Sequence, residues 1–140
     1  MKYKLKTIPV FIYLTFSLIL FSINFDTMNV DALHIVGASI TLISFIFWIV
    51  ARFQLGEAFS VMPKAKHLVT SGIYSKVRHP VYVFSSLALL GITIFFRNPF
   101  ILCLFLGFLM VQIIRVRKED KVLSESFGSK YKEYKKTTWL

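Results

Sequence analysis

The chain has 140 residues, of which 56% are hydrophobic and 16% aromatic, and its formal net charge is +10. A soluble domain of this size has no use for so many apolar side chains, and the apolar runs are too long for soluble core helices. The basic residues are grouped by their position relative to these runs, which nucleic-acid binding would not require. We therefore predict one membrane domain over residues 1–140 and no nucleic-acid partner.

Four apolar stretches follow one another, and each has about the length that crosses ~30 Å of hydrocarbon as a helix. They lie at about residues 8–25, 32–50, 81–96 and 99–114. Only Arg97 and Asn98 separate the last two, which predicts a tight antiparallel helical hairpin. Pro80 and Pro99 suit the first turns of the hairpin helices, where no backbone N–H is needed. The predicted fold is all-α and integral to the membrane, with about four transmembrane helices.

The first apolar stretch also has features of a signal peptide. It follows a basic start, and the sequence Val30-Asp31-Ala32 weakly resembles a cleavage site. The apolar run is long for a signal peptide, however, and the candidate cleavage site lies far from the run. We therefore expect the first stretch to be a helix that the mature chain retains.

The distribution of positive charge predicts the orientation in the membrane. Sixteen of the seventeen Lys and Arg residues fall on one side of a four-span arrangement, and Arg97 falls on the other. The loop between the first two stretches contains Asp26 and Asp31 but no Lys or Arg. This pattern follows the positive-inside rule, so we expect both termini in the cytoplasm. The same basic surface favours contact with anionic lipid headgroups.

Neither a disulfide nor a metal site is predicted. Cys103 is the single cysteine and lies within an apolar stretch, so the chain can form no internal disulfide and no cysteine-based metal site. The three histidines, His34, His67 and His79, do not have the spacing of metal ligands. We interpret Cys103 as a small packing or lipid-facing residue.

A polar, basic segment at residues 68–82 lies between apolar stretches and must therefore sit at a membrane surface. It contains Tyr74, Arg78, His79 and Tyr82. Ionisable groups held at membrane depth are costly, so a functional site is the first hypothesis for such a segment. The alternatives are an N-terminal helix residue for His79 and aromatic membrane anchors for the two tyrosines.

The last apolar stretch continues into a charged tail, which we expect to form a helix. Arg115 and Glu119 are four residues apart and share one helix face, either as a surface ion pair or as part of a site. The tail helix is predicted to lie along the membrane surface or to fold back over the polar segment. Gly128 is a candidate helix end, and Tyr131 and Tyr134 then suit an interfacial position.

Two blocks of residues resemble the isoprenylcysteine carboxyl methyltransferase family, which consists of integral membrane enzymes that use S-adenosylmethionine. The first block is Leu68, Val69, Thr70, Gly72, Tyr74, Arg78, His79, Pro80 and Tyr82, and the second is Glu119, Asp120, Leu123, Phe127, Gly128, Tyr131 and Tyr134. The Asn98-Pro99 turn lies between them, and the resemblance covers about residues 52–134. The chain departs from the family pattern at Ile73, Phe84 and Asp120, where many members have proline, glycine and glutamate.

The resemblance implies a binding site for S-adenosyl-L-methionine on the cytoplasmic face. The implied cofactor residues are His67, Leu68, Val69, Tyr74, His79, Pro80, Val81, Tyr82 and Glu119. Arg115 takes the place of the residue that orients the substrate. We expect His79 and Glu119 to hold opposite ends of the cofactor, with His79 near its carboxylate and Glu119 on its ribose hydroxyls.

The expected activity is methyl transfer to a lipophilic acceptor that enters from the bilayer, most simply carboxyl O-methylation of a prenylcysteine-like or other lipophilic acid. The same scaffold is also compatible with N-methylation of a phospholipid amine or S-methylation of a thiol. More distant alternatives are an NADPH-dependent reductase of the sterol type and a non-enzymatic membrane subunit. The last would be favoured if the polar segment and the charged tail did not meet in space.

Overall fold

The computed structural model describes residues 30–56 and 68–139. This part of the chain forms α1 (Ala32–Leu55), a short 3-10 helix (Gly72–Ser75), α2 (Pro80–Phe96) and α3 (Pro99–Thr137), and it contains no strand. The all-helical prediction is confirmed for these residues. The predicted first span at residues 8–25 lies outside them.

Two of the helices, α1 and α3, are long and apolar enough to cross a membrane, whereas α2 has only 17 residues. In both long helices, 17% of the most apolar window is buried. A core helix of a soluble protein would be mostly buried, so the outward-facing apolar side chains fit a lipid environment better than water. Two helices of the described part thus have the length and composition of membrane spans, and the prediction of four goes beyond this.

The helix starts follow from capping residues that the sequence supplies. The Asp31 carboxylate accepts hydrogen bonds from the backbone N–H groups of Leu33 and His34, both at 3.1 Å, and so caps α1. Asn98 caps α3 by accepting from the Phe100 N–H at 2.8 Å. Pro80 and Pro99 lie in the first turns of α2 and α3, as predicted.

Helices α1 and α2 pack against each other through a close backbone contact at two glycines. A Cβ atom placed on Gly91 would lie 2.7 Å from the Gly37 carbonyl oxygen and 2.7 Å from the Thr41 nitrogen. The Thr41 hydroxyl spans the same contact, at 2.8 Å from the Gly37 oxygen and 3.3 Å from the Ala88 oxygen. Small residues allow such an approach within a membrane, where packing rather than water exclusion holds helices together.

The predicted hairpin turn between α2 and α3 is confirmed. Arg97 adopts a left-handed conformation with φ 48°, and its N–H donates to the Thr93 oxygen at 3.0 Å, which ends α2. Helix α3 begins two residues later at Pro99. Despite the tight turn, α2 packs far more extensively on α1 than on α3.

Helix α3 is interrupted at Gly128 and then continues to Thr137. The backbone at Gly128 has φ 51° and ψ −116°, a conformation that glycine adopts without a Cβ clash. The prediction of a helix end at Gly128 is therefore only partly right, because a second helical segment follows the break. That segment folds back over the polar loop, which confirms one of the two predicted placements of the tail.

Tyr131 and Tyr134 are buried within the protein, and their interfacial position stays a prediction. Their exposed fractions are 0% and 8%, because both rings point from the folded-back segment into the rest of the protein. The backbone N–H of Trp139 donates to the Lys76 oxygen at 2.9 Å and fixes the end of the segment to the loop. The polar segment and the charged tail consequently form one packed unit.

Candidate functional site

The site lies where the end of α1, the 3-10 helix, the start of α2 and the charged half of α3 meet. The Gln54 side-chain oxygen accepts from the Ile73 N–H at 2.8 Å and holds the 3-10 helix to α1. The buried Tyr74 side chain donates to the Ala51 oxygen at 3.4 Å, and Tyr134 donates to the Tyr74 oxygen at 2.5 Å. Three segments distant in sequence are thereby joined around Tyr74.

A group of charged and phenolic side chains lies beside this junction, and we call it the loop–tail cluster. Its members are Arg78, His79, Glu119, Asp120, Tyr131 and Lys135. The first two come from the loop before α2, the next two from α3, and the last two from the segment after Gly128. The structure thus brings together the two sequence blocks, and the condition that would have favoured a non-enzymatic subunit is not met.

Asp120 is bonded through both carboxylate oxygens. Oδ1 lies 2.7 Å from His79 Nε2 and also accepts from the Tyr131 hydroxyl, and Oδ2 lies 2.8 Å from Lys135 Nζ. Arg78 approaches Oδ2 to 3.7 Å. Partial burial raises the pKa of Asp120, but the hydrogen bonds from Lys135, Tyr131 and His79 outweigh that effect and lower it to about 2.

Two buried atoms in the loop–tail cluster have no hydrogen-bond partner. Within residues 30–56 and 68–139, the buried side-chain nitrogen and oxygen atoms without one are Arg78 Nε and Glu119 Oε2. The Glu119 oxygen lies 3.8 Å from His79 Nδ1, too far for a hydrogen bond. Unsatisfied buried polar atoms are rare in folded proteins. The cluster therefore has one buried donor and one buried acceptor available to a polar ligand or to water.

The start of α2 adds a backbone donor to the same region. His79 occupies the N-cap position of α2 but makes no capping hydrogen bond with its side chain. Among the described residues, no acceptor is found for the Val81 N–H, whereas the next two N–H groups both bond to the His79 oxygen. An uncapped helix start favours an anion. Tyr82, one residue further, interacts with the Glu119 carboxylate.

The cofactor residues implied by the resemblance are distributed around this region. Tyr74, His79 and Pro80 are buried, and Leu68, Val69, Val81, Tyr82 and Glu119 are half-buried. His67 lies outside the described residues. Because the side chains of His79 and Glu119 approach to 3.8 Å, they face one part of any ligand, and the expectation that they hold its opposite ends does not fit this geometry.

Arg115 lies on the same helix as Glu119, one turn closer to the apolar half of α3, and its side chain is exposed. Within the described ranges, no ion pair joins Arg115 and Glu119, so the surface-pair interpretation is not supported. Arg115 does influence Tyr82 electrostatically, which places its charge near the start of α2.

Sequence reasoning gave no role to Asp120 or to Lys135. The signal for Asp120 was its position beside Glu119 in the second block, but spacing alone does not show which of two adjacent acids faces the loop. Lys135 is one of several lysines in the tail, and only the fold at Gly128 brings it to Asp120.

A second polar group, the turn cluster, lies at the other end of the α1–α2 pair and consists of Asp31, His34 and Arg97. Arg97 donates to Asp31 Oδ2 at 2.7 Å, and His34 Nδ1 lies 2.8 Å from Asp31 Oδ1. The Asp31 carboxylate accepts from the His34 N–H, and this bond is the main reason that its pKa falls to about 2. Among the described residues, no group of three or more His, Cys, Asp or Glu is arranged to hold a metal ion.

Comparison with known proteins gives the family. Residues 32–130 match the family model of phospholipid methyltransferases. The chain belongs to this family. Two curated relatives are protein-S-isoprenylcysteine O-methyltransferases: the one from Saccharomyces cerevisiae is 34% identical over 93 residues, and the one from Schizosaccharomyces pombe is 33% identical over 93 residues. The aligned part is 61% of this chain but 38% and 39% of those relatives, so the chain matches about two-fifths of their length.

These matches confirm the resemblance that the two sequence blocks indicated. The two apolar helices, together with the methyltransferase relatives, indicate a membrane protein. The phospholipid methyltransferase match begins at the first residue of α1 and ends at residue 130. It therefore contains Arg78, His79, Glu119 and Asp120 but stops just before Tyr131, so two members of the loop–tail cluster lie beyond it.

Proposed function

We propose that the chain transfers a methyl group from S-adenosylmethionine to a lipophilic acceptor at the cytoplasmic face of a membrane. The observation that carries this proposal is the pair of unpartnered buried atoms, Arg78 Nε and Glu119 Oε2, within a chain of the phospholipid methyltransferase family. A polar ligand with both donor and acceptor groups satisfies both atoms. S-adenosylmethionine has such groups in its ribose hydroxyls, ammonium and carboxylate.

The donors and acceptors present fit this cofactor. The Glu119 carboxylate is suited to ribose hydroxyls, because it accepts hydrogen bonds and one of its oxygens is unpartnered. The Arg78 guanidinium and the Val81 N–H at the start of α2 are suited to a carboxylate. The remaining implied contacts are His67, Leu68, Val69, Tyr74, His79, Pro80 and Tyr82. When bound, the cofactor supplies an electrophilic methyl group on a sulfonium.

The protein's own contribution is alignment and exclusion of water. Methyl transfer is a single in-line displacement, so no side chain has to form a covalent bond. Holding the two reactants in line can supply several kcal/mol of the barrier reduction. The folded-back segment carries the buried Tyr131 and Tyr134 side chains. It packs over the loop and is suited to keep water out of the site.

Arg115 points to a carboxylate as the acceptor. It lies at the boundary of the apolar half of α3, one turn before Glu119, and its planar fork matches a carboxylate. A carboxylate is ionised at neutral pH and needs no general base, whereas an amine must lose a proton. His79 is the best candidate base nearby, and because its Nε2 is bonded to Asp120, Nδ1 is the nitrogen left to accept that proton. The relatives' name, isoprenylcysteine O-methyltransferase, supports the same choice.

Phospholipid amines are the second candidate acceptors, because the matching family model is named for phospholipids. Cytoplasmic placement of the site rests on the charge distribution, in which sixteen of the seventeen basic residues share one side of a four-span arrangement.

The test is a binding and turnover experiment on the purified full chain in lipid nanodiscs. Calorimetric titration should show saturable binding of S-adenosylmethionine and none of NADPH. Radiolabelled methyl transfer should then favour lipophilic acids over phosphatidylethanolamine, with little change in rate between about pH 6 and 8 because the acids stay ionised. Binding of NADPH alone would support the reductase instead. Turnover on amines only, with a rate that climbs through that pH range, would support the N-methyltransferase.

A further inference from the structure

We propose that Asp120 is a positioning residue for this site. Its carboxylate fixes the imidazole of His79 through Nε2, and two residues of the segment after Gly128, Tyr131 and Lys135, hold the carboxylate from its other side. The effect on cofactor binding rests on the proposed function, whereas the effect on the imidazole does not.

The first step is the geometry at His79. Its side chain is 8% exposed, and Nε2 lies 2.7 Å from Asp120 Oδ1. The opposite ring nitrogen, Nδ1, is 3.8 Å from the unpartnered Glu119 oxygen. With Nε2 bonded to Asp120, rotation of the ring is blocked. Nδ1 is therefore kept on the side of Glu119, where the ligand is proposed to bind.

The second step is the charge on Asp120. Arg78 and Lys135 lie near one oxygen, and Tyr131 and His79 bond to the other. These bonds keep the pKa of Asp120 at about 2 despite its partial burial, so the group is a carboxylate throughout the neutral range. An acceptor that never carries a proton selects the form of His79 that has hydrogen on Nε2.

The third step is the support that the Asp120 carboxylate receives from the segment after Gly128. Tyr131 is fully buried and Lys135 Nζ lies 5.2 Å from the centre of its ring, so the two tail partners of Asp120 support each other. Both follow the break at Gly128. If the segment undocks, Asp120 loses these two partners but keeps its bond to His79, because neither residue of that bond lies in the segment.

A purely structural role for Asp120, as a clip that holds the tail, is the alternative. The tail offers a matched control, because Tyr134 fixes it to the Tyr74 oxygen at 2.5 Å without touching His79 or Asp120. Tyr134→Phe therefore weakens docking of the tail and leaves the bond between Asp120 and His79 in place. Asp120→Asn removes the charge that faces His79.

The first measurement is heteronuclear NMR of the histidine ring nitrogens in the purified full chain without cofactor, with His79 assigned from its loss in His79→Gln. In the wild type, His79 should show a protonated Nε2 with slow exchange and a strong hydrogen-bond shift. Asp120→Asn should move this signal or broaden it, and Asp120→Glu should largely restore it. Tyr134→Phe should leave it in place. An unchanged signal in Asp120→Asn, or the same change in Tyr134→Phe, would overturn the proposal.

The second measurement is the affinity for S-adenosylmethionine in the same variants. Asp120→Asn should weaken binding about tenfold, the scale expected for losing a charge-assisted hydrogen bond that holds a binding group. Asp120→Glu should stay within about threefold of the wild type. If the wild type binds no S-adenosylmethionine, the proposed function fails, and the NMR measurement still decides whether Asp120 positions His79. Equal losses in Asp120→Asn and Tyr134→Phe would leave Asp120 as a structural clip and contradict the proposal.

Discussion

The loop–tail cluster and the turn cluster use the same residue types and yet differ in how fully they are bonded. In each, an aspartate lies within 4 Å of a histidine and of an arginine, and each aspartate has a pKa of about 2. In the turn cluster, the Asp31 carboxylate caps α1 and pairs with both other members. In the loop–tail cluster, Arg78 Nε and Glu119 Oε2 are buried without partners.

This difference is the reason that we propose a ligand at the loop–tail cluster and none at the turn cluster. The turn cluster closes one end of the α1–α2 pair and satisfies its own members. It is also well exposed, with 48% of the Asp31 side chain and 44% of the Arg97 side chain accessible, so it stabilises little. The loop–tail cluster is more buried, and two of its polar atoms lack a hydrogen-bond partner that a ligand could supply.

The largest expected effect compares one arginine from each end of the molecule. Arg115→Lys keeps the charge but loses the two-pronged geometry, so methyl transfer to a lipophilic acid should fall about 100-fold while cofactor affinity is retained. Arg97→Lys is the matched change at the turn cluster and should leave turnover as it is. The measurement is the methyl-transfer rate at saturating cofactor, with cofactor affinity determined in parallel. Full turnover in Arg115→Lys would remove this residue from the acceptor site.

The next effect compares the carboxylates. Glu119→Gln should weaken binding of S-adenosylmethionine by about 1–3 kcal/mol, because an amide replaces one of the acceptors offered to the ribose hydroxyls. Asp31→Asn makes the same chemical change where no ligand is proposed, and asparagine still caps a helix. Its cofactor affinity should equal that of the wild type. Calorimetry on both variants decides the matter, and equal affinities in all three proteins would place the cofactor elsewhere.

The smallest expected effect is a difference between the two clusters in how their stability depends on pH. Both aspartates have lowered pKa values, so acid should weaken both ends as pH falls from about 4 towards 2. Within residues 30–56 and 68–139, the buried tyrosines lie at the loop–tail end: burial raises the pKa of Tyr134 to about 12, and it also raises the pKa of Tyr74 and Tyr131. A folded-state pKa above the unfolded value of about 10 means stability that is present below pH 10 and lost as pH rises through the folded value.

Alkali should therefore release the folded-back segment before it affects the turn cluster. Proteolysis at increasing pH, followed by mass spectrometry, should show cleavage after residue 128 as the first change. Tyr134→Phe removes one of the ionising groups and serves as the control, since its cleavage should depend less steeply on pH. Simultaneous opening of both ends would show that the tyrosines do not govern the alkaline response.

Much of the fold was predictable, because its signals are local. Apolar run lengths gave α1 and the hairpin, and the positions of Pro80 and Pro99 gave two helix starts. Gly128 was recognised as a candidate helix end, because glycine adopts a positive φ without a Cβ clash. Local patterns could not decide between the two placements of the chain after the break, because the choice depends on contacts with a loop about sixty residues away in sequence.

The same limit applies to the site. Spacing on a helix showed that Arg115 and Glu119 share a face, and the two blocks indicated that loop and tail converge. Spacing could not show that Asp120 rather than Glu119 would take the direct bond to His79. That choice is set by the rotation of α3 about its axis, which depends on packing between helices and not on any local pattern.

The uneven packing of α3 has a mechanical consequence. It is held at the Asn98 turn and, within its apolar half, by the bond from Gln112 Nε2 to Ser85 Oγ at 2.8 Å. Glu119 lies about 30 Å along the helix from that turn, so a tilt of about 10° would carry it about 5 Å sideways. Helix α3 is also held at its charged half by the bond between Asp120 and His79, so a tilt of that size would have to break this bond.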